Sequence, residues 1–330
     1  MVKDFWNKLK KPIIILAPMA DVTDTVFRQI VAGYGRSEGL TVNKPDVFFT
    51  EFVSCDGLCS EGKTKLLKIL KFNKKIERPI VSQFFGSKPE NFYKCAKLAQ
   101  KLGFDGIDIN MGCPDKKVEK QGAGAALIKT PELAQKIIAE TKRGAGSAGR
   151  RIPVSVKTRL GFNKSEIETW IPALLKAKPD AIILHGRTRK EMSKVPANWD
   201  LIGRAAEIVK KSGQQTLIIG NGDVGSLTDA KRKAERYGLD GVMVGRGIFA
   251  NPWFFNPSVN PADVKPKDKI VLLIKHLKLF DKTYGATKNF AIMKKFIKMY
   301  VSGWNGAKSL RNKLMTTKSA KETLNLLVDR

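Results

Sequence analysis

Eight short apolar runs, rich in β-branched residues, punctuate roughly the first 250 positions of this chain and alternate with longer segments of helical spacing. The runs are Ile13–Ala17, Val47–Phe52, Ile80–Phe84, Gly106–Met111, Pro153–Thr158, Ala181–His185, Thr216–Gly220 and Gly241–Gly245. Runs of this length read as strands, whereas Asn91–Leu102, Pro131–Arg143, Ser165–Ala177, Asp200–Lys211 and Leu227–Tyr237 space their apolar residues by three and four, as helices packed on a sheet do. Strand followed by helix, repeated eight times, predicts an α/β chain folded as a (β/α)8 TIM barrel. A doubly wound open sheet is the alternative.

The alternation ends near Phe255, where Asn256-Pro257, Pro261 and Pro266 make a connection that cannot continue a helix. Beyond it the texture changes. Ile270, Leu273, Ile274, Leu277, Phe280 and Tyr284 form one helical face, and Phe290, Met293, Phe296, Ile297 and Tyr300 another. The expected organisation is a barrel over 1–256 and a small helical bundle over 257–330, with Lys275, Lys278, Lys282, Lys294, Lys295 and Lys298 crowding the faces opposite the apolar ones.

Those lysines belong to a general excess: 60 Lys plus Arg stand against 31 Asp plus Glu, a formal charge of +29. A basic proteome or a merely solvated face accounts for some such surfaces. More often the excess marks a polyanion, because each neutralised phosphate releases a condensed counterion, so RNA or DNA is the expected partner. No apolar run reaches membrane-spanning length, and Met1 to Pro12 lacks the apolar core of a signal peptide, so no membrane association and a cytoplasmic location are expected. The four cysteines, Cys55, Cys59, Cys95 and Cys113, are too few and irregular for a disulfide framework. Cys55 and Cys59 have a spacing a metal accepts, but no second pair accompanies them and the histidines are His185 and His276 alone; no metal is expected.

Barrels build their sites where strands end, which makes the residues at those ends candidate ligands. Asp108-Ile109-Asn110-Met111-Gly112-Cys113-Pro114 closes the fourth run with an amide, a glycine and a thiol locked before proline. The thiol looks aimed at a ligand; a buried, inert cysteine in a turn is the plain alternative. Ala17-Pro18-Met19 offers an apolar platform for the edge of a flat ring, and Gln83 an amide able to pair with a heterocycle. Lys157 and Arg159 fall on one strand face and require an anion, either a ligand or a structural acid such as Asp108. His185-Gly186-Arg187 reads as a ligand contact, with a satisfied core histidine as the alternative. In Gly220-Asn221-Gly222-Asp223-Val224 and Gly245-Arg246-Gly247 the glycines let backbone N–H groups close on an anion, and the loops after the last two barrel strands frequently hold phosphate. Phosphate there, with a planar ring over the first, third and fifth strands, describes flavin mononucleotide. Gly144 to Gly149 matches a dinucleotide fingerprint as a string but follows a helix and precedes a strand, the reverse of the required order, and is read as a connection. Gly122-Ala123-Gly124-Ala125-Ala126 either brings backbone to a ligand or packs tightly.

Taken in order, APMADVTDTVFR, SQFFGS, DINMGCP, QGAGAAL, VSVKTRLGF, LHGRTR, NGDV and GVMVGRGIFANPW resemble the tRNA-dihydrouridine synthase family from Ala17 to Trp253, and the basic tail to Arg330 is similar to its C-terminal domain. Asp21 departs from the pattern, since the family more often has glycine there. The resemblance implies bound FMN, NADPH as reductant, and reduction of particular uridines in tRNA to 5,6-dihydrouridine; a monomer is expected, though no motif speaks to oligomeric state. It implies that Ala17, Pro18 and Met19 touch the flavin, that Gln83 and Lys157 hydrogen-bond its rings, and that His185 lies beside it. Asn221, Gly222, Asp223, Gly245 and Arg246 would surround the ribityl phosphate; Asn110, Arg159 and Arg187 would face the substrate, and Cys113 would be the proton donor. A flavin barrel acting on free pyrimidines or dihydroorotate shares that site but leaves the +29 charge without a purpose. An RNA-binding protein on a retained barrel scaffold predicts a colourless protein.

Overall fold

A computed structural model describes residues 5–33, 44–147 and 151–328. Its strands are β1 (Ile13–Leu16), β2 (Phe48–Phe49), β3 (Val53–Ser54), β4 (Ile80–Phe85), β5 (Gly106–Met111), β6 (Val154–Arg159), β7 (Ala181–His185), β8 (Leu217–Asn221) and β9 (Gly241–Val244). All pair in parallel, in the order β1-β9-β8-β7-β6-β5-β4-β2, and β3 also pairs with β4. The ring closes between β1 and β2 through the Ile15–Val47 bridge, with Asp46 N donating to Ile14 O at 2.8 Å. The expected eight-stranded barrel is therefore present. Its second stave is interrupted where one continuous strand over Val47–Phe52 was expected. The Thr50 hydroxyl accepts from Gln83 N at 3.1 Å in place of a ladder carbonyl, and the chain leaves the sheet until Val53.

Alternation along the strands divides the core in two. Ile13, Ile15, Val81, Ile183, Ile219 and Met243 fill the barrel interior, while Ile14, Leu16, Ile182, Val242 and Val244 face outward under helices. Phe5 lies against Gly106 at the start of β5, and Trp6 joins the interior set, so the N-terminal end of the barrel is plugged. The outer layer comprises α1 (Thr25–Val31), α2 (Cys55–Leu58), α3 (Lys63–Leu67), α4 (Pro89–Leu102), α5 (Lys116–Glu119), α6 (Pro131–Ala145), α7 (Ile167–Lys176), α8 (Trp199–Lys211) and α9 (Leu227–Arg236). Side-chain caps set the starts of α1, α8 and α9: Asp24 accepts from Phe27 N, Asn198 from Leu201 N, and Ser226 from Asp229 N. The Gly144 string begins inside the last turn of α6, and its Ala148 and Gly149 lie outside the described residues.

The tail folds as α10 (Pro266–Tyr284), α11 (Met293–Tyr300), α12 (Ala307–Thr316) and α13 (Ala320–Val328). The expected single apolar face on α10 is wider than its spacing implied: Leu272, Leu273, His276, Leu277, Leu279 and Phe280 are all buried, because α10 packs on α1 as well as on α11 and α13. Phe27 of α1 meets Phe296 at 4.9 Å and His276 at 5.9 Å between ring centroids. Apolar residues of barrel and tail thus form one continuous cluster. Of the tail lysines singled out above, Lys278, Lys282 and Lys298 are exposed, whereas Lys275, Lys294 and Lys295 are half-buried. No described helix is long and apolar enough to cross a membrane.

Candidate active site

With one end of the barrel plugged, the C-terminal ends of the strands open into a cavity of about 720 Å3. Ala17, Pro18 and Met19 wall it on the β1 side, Lys157 and Arg159 come from β6, and His185 and Arg187 from the end of β7. The backbone of Asn221 to Gly225 and of Gly245 to Gly247 completes the ring, with Pro114, Met192 and Ser193 at the rim. The volume is that of a site for a ligand of cofactor size.

The cavity floor is cationic. Burial, then Arg159, lowers the Lys157 ammonium to about 8, with Asp108 and Cys113 opposing. The structural alternative for Lys157, an ion pair with Asp108, is not formed among the described residues. Arg159 is lowered to about 10, again by burial first, and stays charged at neutral pH. It donates through Nε to Gly112 O at 2.7 Å and through Nη1 to Thr188 O and Met192 O, both at 3.1 Å. Of the five guanidinium donors, the two on Nη2 are left for a ligand.

Asp108 has a different task. Fully buried, it accepts from Ser155 Oγ at 2.6 Å and from Gln83 Nε2 at 2.7 Å. An ionised carboxylate only accepts, so it turns the Gln83 amide to present Oε1 to Asn110 Nδ2 at 3.1 Å. That in turn leaves Asn110 Oδ1 to accept from Gly112 N (3.1 Å) and Cys113 N (2.9 Å). One buried chain of hydrogen bonds, started by Asp108, therefore sets the turn that carries the thiol. Burial raises Asp108 to about 6 against the hydrogen bonds from Ser155 and Gln83. The far side of the turn is closed by Ala125 N, which donates to Cys113 O at 3.0 Å; Gly124 sits at φ +61°, and a Cβ there would come within 2.8 Å of the same oxygen. The glycine-rich segment packs against the cysteine turn. Burial pushes the half-buried Cys113 thiol up from its ordinary value, so it is protonated at neutral pH.

On the opposite wall, burial and then the charges of Lys157, Arg159, Arg187 and Arg246 hold His185 well below the usual imidazole range, and the ring is neutral. Arg187 Nη1 faces His185 Nε2 at 3.1 Å; a guanidinium only donates, so Nε2 accepts and Nδ1 carries the proton. Arg187 also donates to Val195 O and pairs with Asp223, which in turn accepts from Ala197 N at 2.8 Å. Gly222 at φ +128° and Asp223 at φ +45° turn the backbone across the cavity mouth, and a Cβ on Gly222 would strike Ala197 at 2.6 Å.

Ten of the eleven residues expected at the cofactor thus line one cavity, as do Arg159 and Arg187. Gln83, Asn110 and Cys113 stand just behind the wall: Pro114 lines it, and the charges of Lys157 and Arg159 interact with the Cys113 thiol. Sequence reasoning missed Met192 and Ser193, which reach the rim on the Thr188–Val195 loop, whose carbonyls accept from Arg159 and Arg187. It also missed Asp108 as the organiser of Gln83, for which the signal was a lone acid two residues before Asn110 in an apolar strand. Among the described residues no group of three or more His, Cys, Asp or Glu side chains is arranged to hold a metal ion.

A family model described as dihydrouridine synthase matches residues 15–329. The chain belongs to the dihydrouridine synthase family. Membership makes it an oxidoreductase and agrees with the motif resemblance. A relative from Bacillus subtilis (strain 168), named probable tRNA-dihydrouridine synthase 2, is 41% identical over 332 residues, covering 100% of this chain and 97% of its own length. Probable tRNA-dihydrouridine synthases of Staphylococcus aureus (strain COL) and Staphylococcus epidermidis (strain ATCC 12228 / FDA PCI 1200) are 41% and 40% identical over 330 residues. Each alignment covers 99% of this chain, with 95% and 96% of the relatives' lengths. Among solved structures, a 2-naphthoyl-CoA reductase complex superposes with a TM-score of 0.56 at 11% identity, over 76% of this chain and 50% of that one, a likeness of fold. The departure at Asp21 is accommodated: the residue sits at φ +57°, where glycine is most at ease and aspartate is better tolerated than most.

Proposed function

We propose that this protein is a tRNA-dihydrouridine synthase that holds FMN in the barrel mouth, uses NADPH as reductant and converts uridine in tRNA to 5,6-dihydrouridine, with Cys113 as proton donor. The observation that carries this reading is one cavity lined by two cations, Lys157 and Arg159, and a glycine-rich turn, with the protonated Cys113 thiol in the turn just behind its wall. The cavity suits FMN on its own chemistry. Lys157 forms no hydrogen bond or ion pair among the described residues and so has its charge free for an anionic ring edge. The turns at Gly222–Val224 and Gly245–Gly247 present backbone to a phosphate, with Arg246 beside them.

Ala17, Pro18 and Met19 would support the ring system, Lys157 and Gln83 would bond its polar edge, and His185 with Asn221, Gly222, Asp223, Gly245 and Arg246 would hold the remainder. Bound there, FMN supplies the hydride. The chain supplies the rest. The free N–H of Asn110 and Arg159 Nη2 are donors for the carbonyl oxygens of uracil as negative charge develops on them. Cys113 delivers a proton to carbon 5, a role that needs the raised thiol. Three of the five donors of Arg187 are committed to the protein, so its part is to hold His185 and the Thr188–Val195 loop at the substrate's edge. The net charge of +29, and the full-length relatives named for action on tRNA, support tRNA over a free pyrimidine. The uridine must leave its stack to reach a barrel mouth, and the helical region from 257 onward is the proposed platform for the rest of the RNA. The same reading makes the protein a cytoplasmic enzyme.

Purified protein expressed with ample riboflavin should be yellow, release FMN on denaturation, and form dihydrouridine in unmodified tRNA when given NADPH. A colourless preparation, or a yellow one inert towards tRNA, counts against the assignment.

A further inference from the structure

The cofactor-facing loop after β1 is not held by the barrel alone. It runs from Ala17 to Asp24 and is folded on itself, with Met19 N donating to Thr23 Oγ1 at 2.8 Å and Val22 N to Met19 O at 3.1 Å. Its apex, Asp21, adopts a left-handed conformation, φ +57°, which aspartate tolerates better than most residues. Two contacts hold it there. Asp21 N donates to Glu51 Oε1 at 2.6 Å, and Asp21 O accepts from Lys295 Nζ of α11 at 3.0 Å.

A second lysine of the tail reaches the other end of the loop. Lys288, between α10 and α11, pairs with Asp24 Oδ2 at 2.7 Å and lies 4.0 Å from Glu51 Oε2. Asp24 uses its other oxygen to cap α1, and both carboxylates are nearly enclosed, 4% and 8% exposed. Two neighbouring buried carboxylates repel each other unless a cation stands between them, and Lys288 is that cation. Underneath, Phe27 packs on His276 and Phe296, fixing the separation of α1 from the tail.

We infer that Lys288 and Lys295 are positioning residues, through which the C-terminal helical region sets the Ala17–Met19 wall of the cofactor cavity. The inference rests on the FMN reading above and extends it: the helices proposed to carry RNA also hold one wall of the flavin site. It requires that cofactor affinity depend on two side chains that do not touch the cavity.

The test uses full-length, deflavinated protein and FMN titration followed by flavin fluorescence, with thermal unfolding recorded for every variant. Lys288→Met keeps the stem and removes the charge; its FMN dissociation constant should rise about tenfold, while Lys288→Arg should stay within about threefold of wild type. Lys295→Met loses one hydrogen bond and should weaken FMN about threefold. Should Lys288→Met be too unstable to titrate, Lys295→Met with Lys295→Arg as its rescue decides the matter. Wild-type affinity, within twofold, in both methionine variants overturns the inference and leaves the FMN assignment intact. Wild-type protein that takes up no FMN overturns the assignment itself.

Discussion

Cys113 sits in a turn built by Asp108, Gln83 and Asn110, and that network holds in place the thiol we propose as proton donor. Cys113→Ala should keep FMN content and its reduction by NADPH within about twofold and lose dihydrouridine formation by about 10²-fold or more, the scale of a general acid. Normal turnover with tRNA in that variant would remove Cys113 from the mechanism. Lys157 supplies a pH signature. Its folded value lies near 8, so the ammonium is charged below that pH and neutral above it. Attraction for an anionic cofactor is therefore present at neutral pH and lost on the alkaline side. FMN affinity measured from pH 6.5 to 9.5 should fall with an inflection near or above 8 in wild type, and Lys157→Met should be weak and flat across that range. The residue types at these positions were legible in the sequence; the direction of each amide was not, because it follows from which partner donates across the sheet.

At the scale of elements, α1 shows how a short helix is fixed. Arg28 is fully buried in an ion pair with Glu77 and donates to Thr23 O and to Lys71 O. Glu77 further accepts from Asn73 N at 2.8 Å and from the Thr25 hydroxyl. One guanidinium thus ties the β1 loop to the segment that leads into β4. Removing one partner of a buried pair strands the other charge, so Arg28→Ala should cost about 3–5 kcal/mol in stability, read by denaturant unfolding. Arg28→Lys should recover only part of that, since a single ammonium cannot reproduce the fork. A loss below about 1 kcal/mol for Arg28→Ala would show that the pair contributes little. Strand and helix positions were readable because burial on two faces leaves near-continuous apolar runs in the strands. The interruption after β2 was not, because it depends on one Thr50 hydroxyl replacing a backbone carbonyl.

For the molecule as a whole, the tail and the barrel share one apolar core, so deletion after Pro257 would expose Phe27 and its neighbours and should yield insoluble protein. Charge replacement is the cleaner probe of RNA binding. Lys278, Lys282 and Lys298 are exposed, and changing all three to Gln should leave thermal stability unchanged. If each neutralises a phosphate, the slope of log affinity for tRNA against log salt should become shallower by about 2 to 3. An unaltered slope would move the RNA footprint to another face. Lys288 and Lys295 are not part of that probe, since each already holds the loop after β1.

The sequence by itself determined the barrel, the motif order that marks the family, and the residue types at the strand ends, because apolar periodicity and short motifs are local properties of a chain. Tertiary structure alone decided which of those residues meet: that Asp108 orients Gln83 rather than pairing with Lys157, that the glycine-rich segment closes on Cys113, and that two tail lysines reach a loop more than 260 positions away. Hydrogen bonds and ion pairs between distant segments depend on donor direction and separation across the folded molecule, and no spacing along the chain encodes either.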